Sequence, residues 1–166
     1  MSVNIALVDS GINPFHSHVQ GIEGGISFEL NHENEIIRAL NFNDDIGHGT
    51  ALAGILRYKS PFANLYAIKI FNKQLSTTPT LLISALEWLV EQDMNIIHLS
   101  LGTKSEEDKD KLYYLCSKAY QRNIVVVASA RFPTDNVYPS IFNEVIGAYW
   151  NKQCTEDTII FHPDNC

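Results

Sequence analysis

Short, nearly continuous apolar runs alternate with helix-like segments along most of this chain. We predict strands at residues 3–8, 65–71, 95–101, 124–128 and 144–150, with shorter ones near 25–29 and 158–161. Strands that are apolar on both faces are typical of parallel sheets, because helices cover each side of such sheets. The sequence therefore predicts an α/β fold with a mainly parallel, doubly covered sheet.

Three helices are expected between these strands. They are predicted at residues 50–57, 79–92 and 105–122. Thr78 would cap the second helix, and Pro79 would take its first position, where a missing N–H costs nothing. Ser105 and Asp108 resemble a capping box for the third helix, and the acidic run 106–110 is expected to be its exposed first turn.

Length and charge limit the number of domains and the kinds of partner that the chain can have. At 166 residues, one domain covering residues 1–166 is expected. The formal net charge of -7 argues against binding to nucleic acid or to an anionic membrane surface, since both need clustered basic residues. No apolar run reaches the roughly 18 residues that suggest a membrane-spanning helix.

The N-terminal residues and the cysteines indicate a compartment. Residues 1–11 show no basic start and no apolar stretch of signal-peptide length. The three cysteines are an odd number at irregular spacing, which reduced thiols explain most simply. We therefore expect a cytoplasmic protein.

Polar residues follow several of the predicted strands. Asp9 ends the first apolar run, and ligands of open parallel sheets bind at such carboxyl ends. His48 stands between Gly47 and Gly49 at a predicted helix start. Taken singly, Asp9 equally well caps a turn and His48 equally well has no role. Together, a buried carboxylate can hold one imidazole nitrogen while the other takes a proton from a hydroxyl nucleophile.

Five stretches, in order, carry a resemblance to a known family. They read IALVDSGI (5–12), GHGTALAGIL (47–56), NLYAIKIF (64–71), NIIHLSLG (95–102) and IVVVASA (124–130), the last followed by YPSIFNEVIGAY (138–149). In order and spacing these stretches resemble the subtilisin-like serine peptidases, or subtilases. The resemblance extends over nearly the whole chain. It implies a subtilisin-like fold and an activity that hydrolyses peptide bonds.

The resemblance also implies a role for each matching residue. Asp9 would orient His48 and balance its charge, and His48 would act as general base and then as general acid. Ser100, Leu101 and Gly102 would pair with the main chain of an extended peptide or protein substrate. They would also shape the pocket for the residue before the scissile bond. No metal site and no cofactor are expected.

Two departures from the family pattern matter. No Gly-Thr-Ser segment, the family's setting for the nucleophilic serine, occurs in the sequence, so we expect the C-terminal elements of the fold to be missing. Where the family places an oxyanion-binding asparagine, this chain has Arg131 or Phe132. The sequence therefore predicts the Asp–His half of a serine endopeptidase domain. The alternative is a pseudo-peptidase that binds a peptide or partner protein without cleavage.

Missing C-terminal elements would have a physical consequence. They would leave a hydrophobic face and a strand edge of the sheet open to water. Self-association or a partner chain would then be expected to cover them.

Overall fold

A seven-stranded sheet forms the centre of the computed structural model, which describes residues 2–130 and 136–161. The strands are β1 (Asn4–Asp9), β2 (Gly24–Leu30), β3 (Ile36–Ala39), β4 (Asn64–Lys69), β5 (Ile96–Leu99), β6 (Val125–Ser129) and β7 (Val145–Ala148). Their order is β3-β2-β4-β1-β5-β6-β7, and only the β2–β3 pair is antiparallel. The prediction of a mainly parallel α/β sheet is confirmed.

Helices lie on both faces of this sheet. They are α1 (His48–Lys59), α2 (Pro79–Leu89) and α3 (Lys109–Gln121). Side chains of β1 alternate between two cores: Ile5 and Leu7 pack with Ala53 of α1, whereas Ala6 and Val8 join the core formed with α2 and α3. A strand buried on both sides needs apolar residues at every position, which explains the continuous run in the sequence.

The cover on the α1 side does not extend over the whole sheet. The register places Val125 and Ile146 on the same side as Ile5, through Ile96 and Val127. Val125 is 43% exposed and Ile146 is 57% exposed. Among the described residues, the α1 face of β6 and β7 is therefore open to solvent.

Two strand predictions need correction. Residues 12–46 were expected to be mostly loop, but β3 pairs with β2 as a hairpin. Every residue of β3 is exposed, so no apolar alternation marks it in the sequence. The strand expected at 158–161 is wrong, because these residues are not paired in the sheet and Ile159 is 95% exposed.

The helix starts also differ in detail. Pro79 takes the first position of α2 as predicted, but the Thr78 side chain makes no capping hydrogen bond. The capping box is wrong, since α3 begins only after Asp108 and the Ser105 hydroxyl donates to the Asp108 carboxylate at 2.6 Å. The acidic run 106–110 therefore lies mostly before the helix. Helix α1 begins at His48, two residues earlier than expected.

The helices are short. Among residues 2–130 and 136–161, none has the length and apolar character that a bilayer crossing would require.

Candidate active site

The Asp9 carboxylate lies at the carboxyl end of the central strand β1 and is fully buried. Its Oδ1 accepts hydrogen bonds from the Ser10 backbone N–H at 2.7 Å and from the Ser10 hydroxyl at 3.0 Å. Its Oδ2 accepts one from the Ser100 hydroxyl. A buried charge is costly unless donors surround it, and these groups supply part of that compensation.

His48 completes the set of donors around Asp9. Its Nδ1 lies 2.8 Å from Oδ1 and 2.9 Å from Oδ2 of Asp9, although the two residues are 39 positions apart in sequence. An ionised carboxylate only accepts hydrogen bonds, so Nδ1 carries the proton and Nε2 of the neutral ring is the basic nitrogen. The imidazole is 38% exposed, and so solvent or a ligand can reach it.

Two glycines allow this close approach of α1 to the end of β1. A Cβ at Gly49 would overlap the carbonyl oxygen of Gly11, and one at Gly11 would overlap that of Phe42. Gly11 also has a φ of +98°, which L side chains rarely adopt. The Ser10 hydroxyl accepts the Gly49 N–H at 2.9 Å, so it links the Asp9 carboxylate to the first turn of the helix.

The loop before His48 is held by a second carboxylate and by a buried lysine. Asp44 accepts hydrogen bonds from Ile46, Gly47 and Thr50. Burial opposes the ionisation of Asp44, but these hydrogen bonds together outweigh it and lower the pKa of the carboxyl below its usual value. Lys69, at the end of β4, donates to the Asn43 carbonyl at 2.7 Å and to the Asp45 carboxylate at 2.6 Å.

The segment predicted to bind substrate follows β5. The Ser100 side chain turns to Asp9, and half-buried Leu101 packs against the core shared with α2 and α3. At Gly102 an added Cβ would overlap the side chain of Val137. Among the described residues, no backbone hydrogen bond outside the helices and strands involves Leu101 or Gly102. Their role in substrate binding stays a prediction.

His98 is a further titratable side chain, on strand β5. It pairs with Leu7 in the sheet and so lies on the same side as Asp9. Its Nδ1 is buried and has no hydrogen-bond partner among the described residues. Burial lowers the pKa of His98, which the negative charge of Asp9 partly opposes and the nearby His48 reinforces.

Two other expectations concern the oxyanion position and a metal site. Arg131 and Phe132, the residues expected at the oxyanion position, lie outside the described residues. Within the described part of the chain, no group of three or more His, Cys, Asp or Glu side chains is arranged to hold a metal ion.

Comparison with known proteins decides the family. The model of the subtilase family matches residues 1–131. The chain belongs to the subtilase family. Subtilases are serine endopeptidases, and the fold of this subtilase agrees with the resemblance seen in the sequence.

Curated relatives place this subtilase domain among longer proteins. The chain is 30% identical over 157 residues to the minor extracellular protease Epr of Bacillus subtilis, covering 87% of the chain and 23% of Epr. It is 32% identical over 139 residues to subtilisin DY of Bacillus licheniformis, covering 78% of the chain and 47% of that protein. An intracellular serine protease of Paenibacillus polymyxa is 32% identical over 161 residues, covering 87% and 48%. The chain thus spans less than half the length of these relatives.

Proposed function

We propose that this chain supplies the aspartate and histidine of a subtilisin-like serine endopeptidase, with Asp9 and His48 in those roles. The observation that carries the proposal is the pair of distances from His48 Nδ1 to the two Asp9 oxygens, 2.8 and 2.9 Å. A fully buried carboxylate that fixes one tautomer of a partly exposed imidazole is the arrangement a general base requires.

The chemistry follows from that tautomer. His48 Nε2 takes the proton of a serine hydroxyl as its oxygen bonds to the carbonyl carbon of the substrate. Asp9 balances the positive charge that the imidazole gains. When the C–N bond breaks, Nε2 returns the proton to the departing amine. The nucleophilic serine itself has no counterpart in the family's context within these 166 residues.

A peptide or protein substrate would lie along residues 100–102. Within the described residues, no backbone hydrogen bond outside the helices and strands involves Leu101 or Gly102, which supports their pairing with an extended chain by β-strand addition. The Ser100 hydroxyl is engaged by Asp9, so we assign its side chain to the support of the carboxylate and its backbone to substrate.

The second candidate is a pseudo-peptidase that binds a peptide or a partner protein without cutting it. The sequence ASARFP at residues 128–133 favours it, since the family's oxyanion-binding asparagine is replaced there. Loss of one oxyanion donor costs roughly 10²- to 10³-fold in rate, a magnitude measured on subtilisin itself.

A serine-directed fluorophosphonate probe distinguishes the two candidates. We would apply it to the natural gene product that contains this chain, with His48→Ala and heat-denatured protein as controls. Labelling that His48→Ala abolishes supports the peptidase. Absence of labelling together with measurable binding of a peptide supports the pseudo-peptidase.

The 166-residue chain alone is predicted not to hydrolyse peptides through a serine. With a generic fluorogenic peptide, the purified chain should give no faster hydrolysis than buffer alone. Turnover that His48→Ala abolishes would contradict this prediction.

We also propose a cytoplasmic location. One relative is named an intracellular protease and another an extracellular one, so the comparisons support either. Fractionation of cells that make the natural protein, followed by immunodetection, tests the proposal. The expected self-association or partner chain likewise stays a prediction.

A further inference from the structure

We propose that Asp44 and Thr50 form a clamp that positions the His48 imidazole toward Asp9. The clamp is defined as the Asp44 carboxylate together with the Thr50 side chain and backbone N–H. The inference rests on the proposed role of His48 as base, and it assigns a positioning task to two residues that do not touch a substrate.

The first turn of α1 needs donors and acceptors from outside the helix. The residue at its N-cap is Gly47, which has no side chain to accept the free N–H groups of the turn. The Gly49 N–H instead donates to the Ser10 hydroxyl at 2.9 Å. The Thr50 N–H donates to Asp44 Oδ2 at 2.9 Å. The side chains of Ser10 and Asp44, both outside the helix, therefore cap its first turn.

Asp44 contacts the chain on both sides of His48. Its Oδ1 accepts the Ile46 N–H at 2.9 Å and the Gly47 N–H at 2.8 Å, which fixes the turn before the histidine. Its Oδ2 accepts the N–H and the hydroxyl of Thr50 after the histidine, the latter at 2.6 Å. One carboxylate thus sets the backbone at both ends of the residue that must aim at Asp9.

Thr50 connects this carboxylate to the strand that carries Asp9. Its hydroxyl donates to Asp44 and accepts the Asn13 N–H at 3.0 Å, so it joins the loop after β1 to the loop before α1. Thr50 is only 8% exposed, and water cannot readily replace the hydroxyl there. The loop that follows Asp9 and the loop that precedes His48 are therefore tied together through one side chain.

The clamp needs an ionised acceptor and a hydroxyl. Asp44→Asn keeps the shape but replaces one oxygen by an NH₂ group, which cannot accept from Thr50. Thr50→Val keeps the branched shape and removes the hydroxyl, whereas Thr50→Ser retains it. Asp110→Asn is a matched control, because Asp110 is exposed on α3, whose buried side chains pack in a different core from Ala53 of α1.

The readout is the NMR resonance of the His48 Nδ1 proton in the 166-residue chain, which is independent of any hydrolysis. A proton held by the Asp9 carboxylate exchanges slowly with water and resonates far downfield. We expect the signal in the wild type, in Thr50→Ser and in Asp110→Asn. We expect it to be lost in Asp44→Asn and Thr50→Val, while amide signals outside the site, which comprises residues 9–13, 41–50 and 98–102, stay in place.

Each other outcome counts against the inference in a recognisable way. An unchanged Nδ1 signal in either folded variant overturns the clamp and leaves the Asp9–His48 pair intact. Global unfolding of both variants also contradicts it, because the clamp predicts a local effect. If only Asp44→Asn unfolds, Thr50→Val decides. Absence of the signal in the wild type itself removes the Asp9–His48 pair and with it the proposed function.

Discussion

At the scale of single residues, the fully buried Asp9 carboxylate needs several hydrogen-bond donors around it. It is satisfied by neighbours that come from three places in the chain: Ser10 beside it, His48 at the start of α1 and Ser100 after β5. Because an unpaired buried charge is costly, each neighbour contributes to stability as well as to the site.

Ser10→Ala tests this coupling of stability and site. The Ser10 hydroxyl is fully buried, donates to Asp9 and accepts the Gly49 N–H, so its removal leaves two buried groups short of a partner. We expect a loss of about 1–3 kcal/mol in the free energy of unfolding, measured by urea titration. Exposed Ser17→Ala is the control and should change it by less than about 0.5 kcal/mol. Equal effects of the two variants would contradict the prediction.

His98 predicts a pH dependence of stability. Its pKa is lowered from the ordinary value of 6.5, so the unfolded chain binds a proton in a range where the folded protein does not. The neutral ring therefore contributes fully to the free energy of unfolding above pH 6.5. This contribution is lost as the pH falls from 6.5 toward the pKa that His98 has in the folded protein. Melting temperatures measured below and above pH 6.5 should differ less in His98→Asn than in the wild type.

The control for that measurement is the exposed His32. His32→Asn should keep the pH dependence of the wild type. The prediction is wrong if His98→Asn and His32→Asn behave alike.

Sequence reasoning at this scale singled out Asp9 and His48 as a pair, because a carboxylate after a buried strand can hold an imidazole and because both stand in stretches that resemble one family. It missed the roles of Ser10, Asp44 and Thr50. Their hydrogen bonds depend on which loops the fold brings together, and an aspartate two and three residues before free N–H groups is a common turn signal. Only the three-dimensional arrangement shows that Asp44 also reaches Thr50.

At the scale of elements, helix α1 carries two glycines with opposite demands. A Cβ at Gly49 would overlap the Gly11 carbonyl oxygen, whereas one at Gly54 would lie 3.4 Å from the nearest atom, a Cβ of His18. We expect Gly49→Ala to destabilise the protein by about 1–3 kcal/mol through overpacking. Gly54→Ala should stabilise it by up to about 1 kcal/mol through helix propensity. Urea titration of the matched pair checks both, and the same sign for both variants would contradict the account.

The contrast between β1 and β3 shows what made a strand predictable from the sequence. Residues 5–8 of strand β1 are all apolar because helices pack on both faces of the strand. Strand β3 is exposed along its length, so its pairing with β2 decides its conformation and leaves no periodic signal. The segment 158–161 shows the converse error, since apolar residues there find no strand to pair with in the described chain.

At the scale of the whole molecule, topology places the site. Strand β1 lies between β4 and β5, and all three run parallel, so Asp9, Lys69 and Ser100 emerge at one edge of the sheet. That edge is where ligands bind in open α/β sheets. The strand pattern alone predicts this location, whereas the match of the family model to residues 1–131 is needed to say which chemistry belongs there.

The most direct test of the account is the protonation pattern of the His48 ring in the 166-residue chain. The ¹⁵N shifts of its two nitrogens, recorded at a pH where the ring is neutral, identify the tautomer. The account predicts a protonated Nδ1 and a bare Nε2 in the wild type, with a mixture of tautomers in Asp9→Asn. A wild-type ring protonated on Nε2, or one unchanged by Asp9→Asn, would contradict the pairing of Asp9 with His48.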